Sequence, residues 1–125
     1  MLDHLSITTA DLDRAQRFYD AVLSALGYPR VYRSERGIGY GERGAAGGYI
    51  SVFRSENVVA DNRHWAFRAP SRAAVRAFYE AALAQGGRDD GPPGLRPEYN
   101  PTYYAAFVLD PDGNRIEAVC REPGE

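Results

Sequence analysis

An internal repeat at a spacing of 60 residues is the feature that most constrains this chain. The segment HLSI at 4–7 aligns without gaps with HWAF at 64–67, and FYDA at 18–21 aligns with FYEA at 78–81. Self-similarity at a fixed spacing indicates a chain built from repeated supersecondary units. Each half has the pattern of a strand, a helix, a glycine stop and further strands. We therefore expect one domain over 1–125, with module one at about 1–56 and module two at about 60–125.

Two amphipathic helices follow the matching strands. Asp11 and Ser71 have side chains suited to capping the first and the second helix, respectively. Apolar residues then recur at the helical period, which predicts one buried stripe on each helix. Gly27 and the pair Gly86 and Gly87 end the two periodic segments, as glycine often does at helix C-termini.

The remaining strands are predicted from shorter apolar runs at 30–34, 36–42, 47–54, 103–109 and 114–120. The sequence DPDG at 110–113 is suited to a hairpin turn between the last two. Segments 42–48 and 86–101 are rich in Gly and Pro and are predicted to be loops. A 16-residue loop in a compact domain is usually functional, so 86–101 is a candidate lid that could place Arg96 and Asn100 over a ligand. A solvated loop is the simpler interpretation of those two residues.

Composition excludes several classes of function. The 125 residues carry a net charge of −2, which gives no electrostatic footprint for nucleic acid or anionic membranes. All 15 basic residues are Arg, so lysine Schiff-base chemistry and the lysine-dependent phosphate loop are excluded. The single cysteine, Cys120, cannot form an internal disulfide and is expected to be inert core. With no signal-peptide pattern and no apolar run near the ~20 residues that span a bilayer, we expect a cytoplasmic protein.

Strand parity places three metal-binding residue types on polar faces. Successive strand residues point to opposite sides, so Leu5 and Ile7 share one face of the first strand and His4 lies on the other. By the same parity, His64 and Glu117 lie opposite the apolar faces of their strands. The apolar faces need the helices as cover, and a half-polar concave sheet is the simplest place for the three polar side chains. If the halves are related by a pseudo-twofold axis, the two histidines are symmetry mates near it.

Two imidazoles and one carboxylate form a facial set suited to a divalent metal such as Fe, Mn, Ni or Zn, with positions left open for water and substrate. Open positions are what metal-assisted chemistry requires. His4 and His64 are the only histidines in the chain. The alternative is structural: a partly exposed strand residue at His4 and a hydrogen-bonded one at His64.

Further candidates border the same faces. Tyr103 and Tyr104, with Tyr99, adjoin the long loop, and one of them could hydrogen-bond substrate or act as an acid. Arg68 shares the face of the second histidine, and Arg115 shares the face of the last-strand glutamate, so either could hold an anionic substrate group. The structural alternatives are a half-buried strand aromatic for each tyrosine and an ion pair at the rim of the sheet for each arginine.

The leading "LDHLSITTADLDRAQRFYDAVLSALGY" and the closing "YYAAFVLDPDGNRIEAVC" resemble the vicinal-oxygen-chelate superfamily of glyoxalases, bleomycin resistance proteins and extradiol dioxygenases. The resemblance covers essentially the whole chain. It implies an α+β fold of two paired βαβββ modules, whose strands form an open, cup-shaped mixed β-sheet around a divalent metal, with the helices on the outer face.

The resemblance also assigns ligands and leaves two functions open. The family's ligand positions fall on His4, His64 and Glu117, and a fourth, usually a carboxylate, falls on Ser51, which is a poor ligand. The implied function is a metal-dependent enzyme of the lyase, isomerase or extradiol dioxygenase type, acting on a small oxygen-rich organic substrate. The alternative is a metal-free small-molecule binding protein of the bleomycin-resistance type. A homodimer is expected by the same resemblance, with modules paired within one chain or exchanged between two.

Overall fold

The computed structural model describes residues 1–42, 47–61 and 63–124. Two halves follow one another along the chain with the same order of elements. The first half contains β1 (His4–Thr9), α1 (Leu12–Ala25), β2 (Arg30–Arg33), β3 (Gly37–Gly41) and β4 (Tyr49–Arg54). The second contains β5 (His64–Arg68), α2 (Arg72–Ala84), β6 (Arg88–Leu95), β7 (Tyr104–Leu109) and β8 (Arg115–Cys120). The repeat in the sequence is therefore a repeat of βαβββ units.

Each half forms its own four-stranded mixed sheet. The strand orders are β1-β4-β3-β2 and β5-β8-β7-β6. The first and last strands of each half pair in parallel, and the other neighbours are antiparallel. This confirms the predicted α+β fold with two modules. It also leaves β1 and β5 as edge strands of separate sheets.

The helices begin at the predicted caps. Asp11 accepts a hydrogen bond from the backbone N–H of Arg14, and Ser71 accepts one from that of Ala74. Such caps each stabilise a helix by about 1 kcal/mol, because they satisfy an N–H group that has no partner inside the helix. Just beyond the first helix, Gly27 has a φ of +89°, a left-handed conformation that favours glycine.

The core lies between the two helices and one face of each sheet. The repeated aromatic residues Phe18 and Phe78 are fully buried there. In β8, Ile116, Ala118 and Cys120 belong to the same core, so Glu117 lies on the opposite face. Cys120 is a buried free cysteine, in agreement with its expected packing role.

The DPDG turn joins the two modules through its carboxylates. Asp112 accepts hydrogen bonds from Thr9 Oγ1 at 2.5 Å and from Arg14 Nη2 at 2.7 Å. Asp110 is buried and accepts one from Tyr19 Oη at 2.5 Å. Burial raises the pKa of the Asp110 carboxyl, against the opposing effect of its hydrogen-bond donors. The turn thus orients module two relative to β1 and α1.

The prediction of one long loop over 86–101 is wrong. Residues Arg88–Leu95 form β6, which pairs antiparallel with β7 through two irregularities near Gly91 and Gly94. Gly and Pro disfavour regular strands, but edge strands with bulges tolerate both. Only a short hydrogen-bonded turn follows: the N–H of Arg96 bonds to the carbonyl of Tyr103 at 2.7 Å. The other predicted loop, 42–48, falls partly outside the described residues.

Within the described part of the chain, no helix is long and apolar enough to cross a membrane.

Candidate metal centre

Glu117 is a buried carboxylate on the face of β8 that points away from the core. The strand register places it beside Ala66 of β5 and Phe107 of β7. Its side chain is only 2% exposed, and the hydroxyl of Tyr103 donates a hydrogen bond to Oε2. A buried carboxylate is costly unless its oxygens have partners. The tyrosine supplies one partner and leaves Oε1 directed toward a second group.

That second group is His64, from the start of β5. Its Nε2 lies 3.4 Å from Glu117 Oε1, and the imidazole is 53% exposed. The two side chains border an open pocket of about 550 Å³. Tyr99, Tyr103 and Phe107 supply aromatic surface to the lining of the same pocket. A nitrogen and a carboxylate oxygen thus meet at the edge of a solvent-accessible space.

Tyr103 is a neutral hydrogen-bond donor at this site. Partial burial raises its pKa to about 12, and the hydrogen bond to Glu117 adds to the effect by favouring the protonated phenol. At neutral pH the phenol therefore holds its proton. It can orient Glu117 or donate a hydrogen bond to a substrate oxygen, but while it is protonated it cannot act as a base.

The two arginines that line the pocket differ in their partners: Arg115 forms an ion pair, whereas no carboxylate of the described residues pairs with Arg121. Arg115 Nη2 lies 2.9 Å from Asp90 Oδ2, so these two charges compensate each other. Arg121, just past β8, has its guanidinium carbon 4.9 Å from the ring centroid of Tyr103. Sequence reasoning missed Arg121, although strand parity offered the signal: position 121 shares the parity of Glu117.

His4 occupies a different environment. It lies at the start of β1, where its Nδ1 is 2.7 Å from Asp3 Oδ1 and its ring stacks on Tyr49 with centroids 5.0 Å apart. The side chain is 52% exposed and does not line the pocket beside His64. Among the described residues, no three His, Cys, Asp or Glu side chains converge to hold a metal ion. The structure therefore brings His64 and Glu117 together and places His4 on the other sheet.

Ser51 has a partner other than a metal. It is 3% exposed, and its hydroxyl accepts a hydrogen bond from Tyr32 Oη at 2.6 Å. The tyrosine ring reaches it across Gly39, where an added Cβ would lie 2.0 Å from the ring. Sequence reasoning missed this contact because it depends on the pairing of β2 with β3.

The remaining candidates lie outside the pocket. Tyr104 points to the opposite face of β7 from Tyr103, and its hydroxyl accepts a hydrogen bond from Arg76 Nη1 at 3.3 Å. The backbone carbonyl of Arg68 accepts a hydrogen bond from Tyr28 Oη, but its side chain does not line the pocket.

The two residues of the predicted lid belong to the short turn after β6. Arg96 donates to the carbonyl of Pro92 at 2.7 Å and lies over the ring of Phe107. Asn100 accepts two hydrogen bonds from Thr102 within the same turn. Both residues therefore have local structural contacts.

His64 and Glu117 fit half of a divalent-metal site. An imidazole nitrogen and a carboxylate oxygen are the donor types that Fe, Mn, Ni and Zn accept, and the adjoining pocket leaves room for water or substrate. The candidate ligand of module one, His4, lies in the other sheet, on the polar face of β1 beside Tyr49. Within the described part of one chain these side chains lie on separate sheets, so a complete facial set would need His4 of a module one to approach His64 and Glu117 of a module two.

Comparison with known proteins agrees with this architecture. The family model of the "Glyoxalase/Bleomycin resistance protein/Dioxygenase superfamily" matches residues 1–118. A search of curated proteins finds no match.

Solved structures show the same fold. A glyoxalase/bleomycin resistance protein from Albidiferax ferrireducens T118 superposes with a TM-score of 0.86 at 29% identity, over 98% of this chain and 99% of that one. The fosfomycin resistance protein FosX from Mesorhizobium loti gives a TM-score of 0.68 at 20% identity, over 96% and 91% of the two chains. A glyoxalase I mutant from Zea mays gives 0.74 at 20% identity, over 96% of this chain and 46% of that one. With its two βαβββ modules and a family match over nearly its whole length, the chain belongs to the glyoxalase/bleomycin resistance protein/dioxygenase superfamily.

Proposed function

We propose that this protein is a divalent-metal-dependent enzyme that acts on a small oxygen-rich organic substrate. His64 and Glu117 of one copy and His4 of a second copy would hold the ion. The observation that supports this most is the contact of His64 Nε2 with Glu117 Oε1 at 3.4 Å, at the edge of an open pocket. His4, which the family pattern assigns to the same site, lies on the other sheet of the same chain.

Features of module one favour completion of the site by a homodimer. Strands β1 and β5 are both sheet edges, which are natural places for pairing with another chain. Tyr49 and Phe53 share the face of His4, and Phe53 is 38% exposed. Exposed aromatic surface beside polar residues is typical of an interface. A twofold dimer would place each module one against a module two and form two equal sites.

The side chains of the pocket would then have separate tasks. A divalent ion, when bound, supplies Lewis-acid polarisation of substrate oxygens. Tyr103 donates its single phenolic proton to Glu117 and so holds that carboxylate in place, and it can donate to a substrate oxygen only when its hydroxyl turns away from Glu117. The rings of Tyr99 and Phe107 exclude water from one side of the substrate. Both a lyase or isomerase reaction and an extradiol-type oxygenation are compatible with this arrangement.

Asp3 would set the orientation of His4. A carboxylate that accepts from Nδ1 leaves Nε2 with the lone pair that a metal needs. The same arrangement is common behind histidine ligands in metalloproteins. Asp3→Asn should therefore weaken metal binding without removing a ligand.

The test combines metal content with subunit mixing. Wild type should purify with near-stoichiometric metal, and His4→Ala or His64→Ala should each lose it. When the two variants are unfolded and refolded together, roughly a quarter of all sites should regain metal, because half the dimers are mixed and each has one intact site. Arg36→Ala, an exposed turn residue, serves as a control that keeps its metal. Full metal in His64→Ala would refute the site, and no recovery on mixing would refute the shared arrangement.

A second function is a metal-free binding protein of the bleomycin-resistance type. The observation that favours it is the aromatic lining of the pocket together with the hydrogen bond that Glu117 already accepts from Tyr103. In that case a bound organic ligand would keep its affinity in His64→Ala. A large loss of affinity would contradict it.

A further inference from the structure

Among the described residues, one arginine that lines the pocket of module two has no carboxylate as an ion-pair partner. Arg115 is paired with Asp90 at 2.9 Å, and the carboxylate of Glu117 is engaged by Tyr103 and His64. Arg121 also lines the pocket, and no carboxylate of the described residues forms an ion pair with it. Arg121 is an exposed residue at the border of this open pocket. A guanidinium there without a carboxylate partner attracts an anion, because it has five N–H donors and permanent positive charge.

Tyr103 fixes the place of this cation relative to the candidate metal ligands. The guanidinium carbon of Arg121 lies 4.9 Å from the centre of the Tyr103 ring, while the hydroxyl of that ring bonds to Glu117. A cation–π contact positions the guanidinium over the ring and leaves its N–H edges available. The Tyr103 side chain therefore lies between the Arg121 guanidinium and the Glu117 carboxylate and contacts both.

The other arginine near these aromatic rings has a different task. Arg96 lies over Phe107 and donates to the carbonyl of Pro92 at 2.7 Å. That contact holds the turn after β6 against β7. Arg121 has no such backbone contact among the described residues.

We infer that the substrate is a small organic acid, and that Arg121 is the residue that binds its anionic group. This rests on the proposed function, in which the pocket beside His64 and Glu117 receives the substrate. The substrate places oxygens at Glu117 and His64, a planar apolar body against Tyr99 and Phe107, and a carboxylate or phosphonate at Arg121. Bidentate recognition of such a group is the geometry for which a guanidinium is suited.

The test uses metal-free protein and a pair of neutral and anionic probes. Binding of 4-fluorobenzoate and 4-fluorobenzamide is measured by fluorine NMR on wild type, Arg121→Gln, Arg121→Lys and the control Arg36→Gln. Wild type and the control should prefer benzoate. Arg121→Gln should weaken benzoate binding roughly tenfold and leave benzamide binding unchanged, since charge-assisted hydrogen bonds are about twice as strong as neutral ones. Arg121→Lys should retain part of the preference, because the charge remains without the bidentate edge.

The outcomes separate this inference from the proposed function. Equal binding of the two probes by wild type, no binding of either probe, or an unchanged benzoate affinity in Arg121→Gln overturns the anion site. Metal content is measured on each preparation before its metal is removed for the binding test, and Arg121→Gln should have the wild-type value. If every preparation, wild type included, purifies without metal and takes up none, while wild type still prefers benzoate, the metal enzyme is refuted and the anion site stands. The far-UV circular dichroism spectrum of each variant verifies that it is folded.

Discussion

The buried pair of Tyr19 and Asp110 predicts a specific dependence of stability on pH. The Tyr19 side chain is 1% exposed, and its hydroxyl donates to Asp110 Oδ2 at 2.5 Å. Tyr19→Phe removes this bond and leaves a buried carboxyl with one donor fewer. Hydrogen bonds to charged groups contribute about 1.5–3 kcal/mol, so we expect a loss of about 2 kcal/mol in the free energy of unfolding at pH 7.

The same pair determines how this loss changes above pH 10. Burial raises the pKa of Tyr19 well above 10, and the nearby Asp110 carboxylate adds to the effect. A group whose pKa is higher in the folded state contributes stability that is fully present below its unfolded pKa. That contribution falls by about 1.4 kcal/mol per pH unit once the unfolded tyrosine ionises. Phenylalanine lacks this group, so the difference in the free energy of unfolding between wild type and Tyr19→Phe should vanish at about pH 11.5.

Urea denaturation followed by circular dichroism between pH 7 and pH 11.5 measures both quantities. A gap that stays constant through pH 11 would show that Tyr19 binds its proton equally in the folded and unfolded chains, which would refute the reasoning. Tyr40→Phe is a matched variant. Its hydroxyl donates to Asp20 Oδ1 at 2.8 Å, and burial, followed by this hydrogen bond, raises its pKa too. The alkaline loss of stability should be shallower in that variant as well.

Three further predictions concern the packing and the candidate site. Gly39→Ala should lower the free energy of unfolding by about 1–3 kcal/mol, because the new methyl group meets the ring of Tyr32, and adding Tyr32→Ala should remove part of that loss in urea titrations. Asp112→Ala should cost about 2 kcal/mol, since Thr9 Oγ1 and the Ala10 N–H lose their acceptor while the half-exposed Arg14 guanidinium can turn to water, and a loss below about 0.5 kcal/mol would contradict the importance of the turn. Zinc or nickel at about 100 times its dissociation constant should stabilise wild type by about 2.7 kcal/mol in thermal melts, and Glu117→Gln should abolish this shift.

The repeat and strand parity predicted most of the fold. The two helices, their caps and seven of the eight described strands follow from local patterns of apolar residues, and those patterns are set by the buried face of each element. The strand β6 was missed because its residues, RDDGPPGL, have no apolar alternation. Pairing with β7 and the tolerance of an edge strand for bulges form that strand, and neither is visible in its own sequence.

The contact between candidate ligands was predictable from sequence only for His64 and Glu117, which belong to the same module. Parity placed His64 and Glu117 on one face, and the structure brings them within contact distance. Parity also placed His4 on the polar face of β1, but it could not show which module His4 would face, because the relative position of two modules depends on the contacts between them. It could not choose between Tyr103 and Tyr104 either, since the start of β7 decides which one faces the pocket.

The DPDG turn also governs how the molecule unfolds. Asp110 and Asp112 accept hydrogen bonds from Tyr19, Thr9 and Arg14, so the β7–β8 hairpin, whose second strand contains Glu117, is anchored on the opposite half of the chain. Neither module can separate from the other without exposing these carboxylates and the apolar helix faces. The duplicated units should therefore melt as one cooperative transition in calorimetry, with a single enthalpy for the whole chain. The two halves have the same order of elements, and the hydrogen bonds of this turn should make them unfold together.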